Sequence, residues 1–370
     1  MKILQVGKFY YPYKGGMETY LYDLCQGLKD KVDLKVLVSN TSFRTLREEV
    51  AGVDVIRAGR WFSFASTSIS FSFPFYLKSN AADIIQIGHP DPMAGLAYLL
   101  TRPSGKLAVM YHSDIVKQKV TYVLYYPFVI SLLKKADAVI VTSPQYLESS
   151  VILRRFEDKC RVIPIGIDLT RFVKTPFMLK RMKSIRDRFG ERIILFIGRL
   201  SLYKGVEYLI EAMENVRGTL LIIGTGERFE ILRAIVLRKS LDKKIIFLGE
   251  VPQNDLPAYL HTSSIFCLPS VARNEAFGIC QLEAMACGKP VVSTRLNTGV
   301  TYINRDEETG ILVPPRRSDA LAAALNKLLD SPDLARRMGS KGRLRVEELF
   351  TREKMVDSTI RLYEELLSQG

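Results

Sequence analysis

The chain has 370 residues, 47% of them hydrophobic and 25% charged, which excludes a mainly disordered polymer and exceeds what one hydrophobic core ordinarily serves. Its formal net charge of +14 points to anionic partners, either phosphates or an anionic membrane surface. Nucleic acid fits the charge alone, because no zinc-finger spacing or other compact recognition motif accompanies it.

In chain order, the opening MKILQVGKFYYP is too short an apolar run for a signal peptide and reads as a first strand over residues 3–6. Gly15-Gly16 follows, with a helix expected from about Met17; glycines there would let a ligand phosphate approach bare backbone N–H groups, although a Gly pair is also a common turn. Further strands are expected over 34–38, 54–56, 84–87, 107–111, 138–141 and 161–165. A second series is expected over 193–197, 219–223, 245–248, 264–268, 290–293 and 310–313. Near-continuous apolar strands alternating with helical text mean parallel sheets covered on both faces. The fold class is therefore α/β, as two open domains that divide within the basic, polar stretch 168–192. Residues 171–190 hold seven basic residues against Asp187 and read as a solvated linker face.

Two segments carry unusual apolar text. WFSFASTSISFSFPFYL, residues 61–77, is either a surface that touches membrane or covers a cleft, or a partly buried helix or loop. Residues 120–133 are apolar but too short to span a bilayer, and Pro127 interrupts them. No transmembrane span is expected. A final helix over about 352–367 either closes the second domain or crosses back to the first.

Candidate site residues cluster after strands, where open α/β sheets bind ligands. His112 ends a strand in VMYHSDI and could donate to a sugar hydroxyl or phosphate, with Asp114 to orient it. His89 also follows a strand, whereas His261 reads as a surface helix residue. Scattered histidines and five unpaired cysteines, Cys25, Cys160, Cys267, Cys280 and Cys287, argue against a metal site and fit a reducing, cytoplasmic compartment. Gly198-Arg199 and Lys204 follow the first strand of the second half. An Arg fork and a Lys point charge suit a diphosphate and could stabilise charge growing on it as it leaves. The Gly224-Thr225-Gly226-Glu227 turn and the Gly249–Pro252 turn, with Val251, follow the next two strands; the latter could pass near a nucleobase. Glu275 and Glu283 flank Phe277, Gly278 and Ile279, where a helix is expected to begin. Bare amides and carboxylates there suit sugar hydroxyls, Glu283 reaching a ribose diol and Glu275 the transferred sugar.

These residues together resemble the retaining glycosyltransferases of the GT-B fold, family 4, over nearly the whole chain. The matching motifs are KGGMET, YHSD at 111–114, VIPIGID at 162–168, GRLSLYKG at 198–205, GTGE at 224–227 and EAFGICQLE at 275–283. The resemblance implies two Rossmann-like domains facing a deep cleft: an acceptor domain over 1–170, rejoined by about 350–370, and a nucleotide-sugar domain over 171–349. By motif, Arg199 and Lys204 look like the donor diphosphate clamp, Glu283 the ribose ligand, and Glu275 the donor-sugar contact beside Phe277, Gly278 and Ile279. His112 resembles the residue near the reacting sugar, and Gly16 the loop glycine near phosphate and acceptor. No metal requirement is implied. YHSDIVKQK further resembles bacterial enzymes that add mannose or another hexose to a polyprenol-diphosphate-linked saccharide. That favours GDP-mannose, with a UDP-sugar the other donor, and a location at the inner face of the cell membrane. The stretch 270–274 departs from the more usual pattern and leaves the sugar open. The alternatives are a hydrolase, epimerase or phosphorylase on the same frame, or a non-catalytic protein that binds nucleic acid, carbohydrate or membrane.

Overall fold

The computed structural model describes residues 1–13, 15–64, 67–114 and 119–369, with the side chains of 119–124 left aside. The tip of the 61–77 segment and the IVKQ part of YHSDIVKQK, together with Lys14, lie outside the described residues.

The chain forms two compact units: Met1–Gly166 with Arg352–Gly370, and Ile167–Thr351. In the first unit the strands are β1 (Lys2–Gly7), β2 (Asp33–Ser39), β3 (Leu46–Val50), β4 (Val53–Ala58), β5 (Phe62–Phe64), β6 (Thr67–Ile69), β7 (Ile84–His89), β8 (Lys106–Tyr111), β9 (Ala138–Val141) and β10 (Cys160–Val162). The main sheet runs β10-β9-β8-β7-β1-β2-β4-β3, parallel throughout except for β3 against β4. Every expected strand of this half is present, although β10 ends at Val162, short of Pro164.

Three strands went unforeseen. β3, with sequence LREEV, is a polar edge strand that offers no apolar run. It turns into β4 through Ala51 and Gly52, at φ of 51° and 80°, the two left-handed residues of a tight hairpin. β5 and β6 form a separate antiparallel hairpin.

The last helix, Arg352–Ser368, belongs to the first unit. A buried polar network fastens it. Gln5 Nε2 on β1 donates to Tyr363 Oη at 2.8 Å, and that hydroxyl donates to Gln86 Oε1 on β7 at 2.7 Å. Gln86 Nε2 closes the ring on Gln5 Oε1 at 3.0 Å.

The second unit holds β11 (Ile193–Ile197), β12 (Thr219–Ile223), β13 (Ile245–Gly249), β14 (Ile265–Leu268), β15 (Val291–Thr294) and β16 (Gly310–Val313). All six are parallel in the order β13-β12-β11-β14-β15-β16, the dinucleotide-fold order with its reversal between β11 and β14. The basic stretch 171–190 is mostly the helix Pro176–Phe189, which buries Met178, Met182 and Ile185 while its arginines and lysines face solvent. His261 is a correction: it is buried in the helix Leu256–Thr262, where Nε2 lies 2.8 Å from the carbonyl oxygen of Phe172. No helix of the described residues is long and apolar enough to cross a membrane.

Candidate active site

In the second unit, loops leaving β11, β12 and β14 converge where the strand order reverses. Glycine makes the approach possible. A Cβ at Gly224 would sit 2.1 Å from the carbonyl oxygen of Gly198, and one at Gly205 would sit 2.3 Å from that of Pro269. Both glycines also occupy positive φ, at 129° and 63°. The amide of Val271 donates to the carbonyl of Tyr203 at 2.8 Å, tying the β14 loop to the β11 loop.

Lys204 and Glu275 meet at this junction. Nζ lies 2.6 Å from Oε2, with both side chains less than 10% exposed. Ser270, fully buried just after β14, donates its hydroxyl to the same Oε2 at 2.9 Å. The Ser270 carbonyl in turn accepts from the Thr294 hydroxyl. Burial pulls the Lys204 ammonium down, but the Glu275 carboxylate overrides it, and the lysine is held above its ordinary value. Arg199 is different: it is exposed, and no ion pair holds its guanidinium among the described residues.

Gly278, at φ 85°, opens the helix Ile279–Ala286, and no side chain caps that start. The amides of Phe277, Gly278 and Ile279 pair with no acceptor among the described residues, as the first amides of a helix do. Phe277 is buried, and the amide of Gly299 donates to the carbonyl of Ala276 at 2.8 Å, which fixes the loop from behind. Glu283 stands one turn into the helix, with Arg171 at 3.9 Å. Asp168 caps the turn Leu169–Phe172 that carries Arg171, accepting from the Thr170 amide at 2.9 Å. Val251 is half-buried and follows a turn whose Gly249 carbonyl accepts from the Gly224 amide at 2.8 Å.

In the first unit the strand order reverses between β1 and β7, and a small cavity opens there beside Gly7, Lys8, Glu18, Tyr20, Gly88 and His112. His112 packs edge-on against Tyr20, with ring centroids 4.9 Å apart. Burial, with the neighbouring His89 adding to it, pulls its imidazole down to about 3, so it is neutral at physiological pH. Asp114 anchors the loop after β8: Oδ1 accepts from Tyr111 Oη at 2.8 Å and from Ser150 Oγ at 3.0 Å. Gly16 begins the helix Gly16–Leu28, and beyond its chain neighbours and its own helix backbone no described residue lies within 4 Å of where its Cβ would stand.

Sequence reasoning overlooked three supports. Ser270 orients Glu275, and Arg171 approaches Glu283. Arg57 on β4, nearly buried, grips Glu48 at 2.5 Å and the carbonyl of Tyr11 at 2.5 Å, which shapes the loop before Gly15-Gly16. Only Ser270 had a readable signal, its place directly after an apolar strand. Among the described residues no three His, Cys, Asp or Glu side chains gather to hold a metal ion.

Two family descriptions divide the chain between them: Glycosyltransferase Family 4 matches residues 14–171, and Glycosyl transferases group 1 matches residues 180–345. The O-antigen chain mannosyltransferase C of Escherichia coli is 32% identical over 371 residues, covering 99% of each chain. The chain belongs to the GT-B glycosyltransferases of family 4. A further relative, D-rhamnosyltransferase WbpZ of Pseudomonas aeruginosa, is 33% identical over 340 residues, 91% of this chain and 88% of its own. Among solved structures, sucrose-phosphate synthase from Thermosynechococcus elongatus superposes with a TM-score of 0.84 at 24% identity, covering all of both chains. This family 4 chain is thus an enzyme that transfers sugars, built on two Rossmann-like units with its last helix returned to the first.

Proposed function

We propose that the enzyme moves a hexose, mannose in preference, from a nucleotide-diphosphate sugar to a saccharide acceptor carried on a lipid, with retention at the anomeric carbon. The observation that supports it most is the buried Lys204–Glu275 pair at the strand-order reversal of the second unit, beside the exposed Arg199. Such a reversal is where a Rossmann-like sheet receives a nucleotide. Open amides at Phe277, Gly278 and Ile279 suit the donor's phosphate and sugar oxygens, and Glu283 suits the ribose diol. Val251 and Gly224 are assigned to the base and phosphate side of the donor.

The chemistry asks for stabilised charge on a departing diphosphate. Arg199 supplies an uncommitted fork, and Lys204 an ammonium fixed in place by Glu275. Glu275 uses Oε2 for Lys204 and for Ser270, and neither bond engages Oε1, which is then available to a hydroxyl of the transferred sugar. No carboxylate here is needed as a covalent nucleophile. The sugar–oxygen bond breaks toward an oxocarbenium-like state, the acceptor oxygen attacks from the same face, and the leaving diphosphate takes its proton. His112, neutral, donates to the transferred sugar or phosphate, and Gly16 lets the acceptor side approach. Side-chain cations fill the role of a metal in this scheme.

The mannosyl and rhamnosyl activities named for the two relatives favour GDP-mannose; a UDP-sugar is the other donor to try. An O-antigen chain as the relative's product favours a polyprenol-diphosphate-linked acceptor at an anionic membrane. Incubating the protein with GDP-, UDP- and ADP-sugars tests the donor. One should raise the melting temperature and be consumed in step with nucleoside diphosphate release. Release that ignores added acceptor would favour a hydrolase, and absence of turnover with all three would refute the reading.

A further inference from the structure

The proposed chemistry leaves one face of the first unit unused. Phe43, Trp61, Phe62, Phe64, Phe71 and Phe75 are 72%, 67%, 53%, 64%, 69% and 65% exposed. The segments that carry them lie side by side. Trp61 and Phe71 meet edge to face with ring centroids 5.7 Å apart, and the Trp61 amide donates to the Ile69 carbonyl at 2.9 Å. Phe43 joins them through the backbone: a Cβ at Gly59 would stand 2.1 Å from its carbonyl oxygen. The Thr45 and Ser72 hydroxyls, 3.4 Å apart, link the loop after β2 to the helix Phe73–Ser79 that carries Phe75.

Single exposed rings are ordinary on a protein surface, but six on adjoining segments mark an interface. The charge around them is one-sided. No Asp or Glu occurs between Asp54 and Asp83, while Arg60 and Lys78 lie in that stretch. Arg44 sits 5.7 Å over the Phe43 ring, and Arg47 sits 5.4 Å over Tyr76. Of the nearby acids, Glu48 is committed to Arg57, which leaves Glu49 on β3. A second copy of this chain would bring the same cations against these. A saccharide stacks on one or two rings beside polar donors, not on six. Aromatic rings ringed by arginine and lysine match the headgroup region of an anionic bilayer, which takes rings at the acyl boundary and cations at the phosphates.

We propose that this face, the β5–β6 hairpin with the flanking Phe43 loop and Phe75 helix, docks the enzyme on an anionic lipid surface. The proposal rests on the reading of a lipid-carried acceptor. Trp61 is the sole tryptophan, so its fluorescence reports from within the patch. With vesicles of equal phosphatidylglycerol and phosphatidylcholine, the emission should shift to the blue and be quenched by brominated acyl chains. Pure phosphatidylcholine should give much less, and salt should reverse the binding. The double variant Phe64→Ser/Phe75→Ser should weaken partitioning by at least about tenfold. The triple variant Arg44→Gln/Arg60→Gln/Lys78→Gln should weaken it similarly and lose the salt dependence. Both should keep the wild-type melting temperature and turn over a water-soluble acceptor normally. An unshifted Trp61 with the anionic vesicles would overturn the proposal, as would a shift produced only by raised protein concentration or by a soluble saccharide. Vesicle binding without any donor turnover would instead overturn the proposed function and leave the docking face standing.

Discussion

Lys204 Nζ touches Glu275 Oε2 at 2.6 Å in a pair that neither partner could leave unmatched. The two residues come from loops on opposite sides of the β11–β14 reversal, so one contact both braces the site and aims its cation. Removing one member strands a buried charge, at a cost of about 3–5 kcal/mol, whereas replacing both with neutral groups of similar shape is nearly neutral. Lys204→Met and Glu275→Gln should therefore each lose stability of that order in urea unfolding, and each should lose about two to three orders of magnitude in turnover. The double variant should regain most of the stability and none of the turnover. Turnover recovered along with the fold would mean that the pair is a brace alone.

Gly16 separates a ligand's demand from the protein's. Beyond its neighbours and its own helix backbone, no described residue lies within 4 Å of a Cβ placed there, and the residue opens a helix. Alanine is a better helix former than glycine by about 1 kcal/mol. Gly16→Ala should leave the melting temperature unchanged or slightly raised, while kcat/KM for the acceptor falls. Unchanged kinetics would show that no substrate passes close to this backbone.

Acid should weaken the first unit through His89. The residue is 2% exposed, its ring stacks on Tyr111 with centroids 4.6 Å apart, and burial pulls it from 6.5 down to about 4, the nearby Asp114 carboxylate pulling slightly back. Between those values the unfolded chain takes a proton that the native chain refuses, so stability falls as pH falls through that window. His112, drawn down to about 3, adds to the loss. Asp91 opposes it: burial raises it to about 6, so between 3.8 and 6 the native chain holds a proton that the unfolded chain has lost. Two histidines against one aspartate leave a net loss. The melting temperature should drop between pH 7 and 5, and His89→Phe, which keeps a flat ring against Tyr111, should flatten that slope. An unaltered slope would place the acid sensitivity elsewhere.

What was legible in the text follows from range. Parallel strands buried on both faces write themselves as apolar runs, which is why β1, β7, β11 and β14 could be found, while the order that places them side by side could not. The Gly224 turn was legible because the glycine follows its strand directly, and the Gly278 turn because a helix follows the glycine directly. β3 was not, because a polar edge strand borrows its order from β4 and needs no apolar pattern of its own. His261 misled for a related reason: its helix text is ordinary, and its burial comes from the Phe172 carbonyl, far away in sequence. Lys204 could be read as a cation after a strand. Nothing local shows that Glu275 is buried against it, since that contact exists only once β11 and β14 lie side by side.

The return of the last helix depends on one hydroxyl. Tyr363 Oη accepts from Gln5 at 2.8 Å and donates to Gln86 at 2.7 Å, and both amides are fully buried in the β1 and β7 centre of the first sheet. Burial holds the phenol far above its ordinary value, so it is protonated across the working pH range. Tyr363→Phe keeps the ring and deletes the hydroxyl, leaving a buried amide N–H of Gln5 and a carbonyl of Gln86 short of a partner. Each orphan costs about 1–3 kcal/mol. The variant should lose stability accordingly, and amide exchange should quicken first along Arg352–Ser368 rather than in the second unit. The triple variant Gln5→Leu/Gln86→Leu/Tyr363→Phe removes the orphans as well as the bonds and should restore much of the loss. Exchange that quickened equally in both units would show that the network acts on the whole fold and does not specifically fasten this helix.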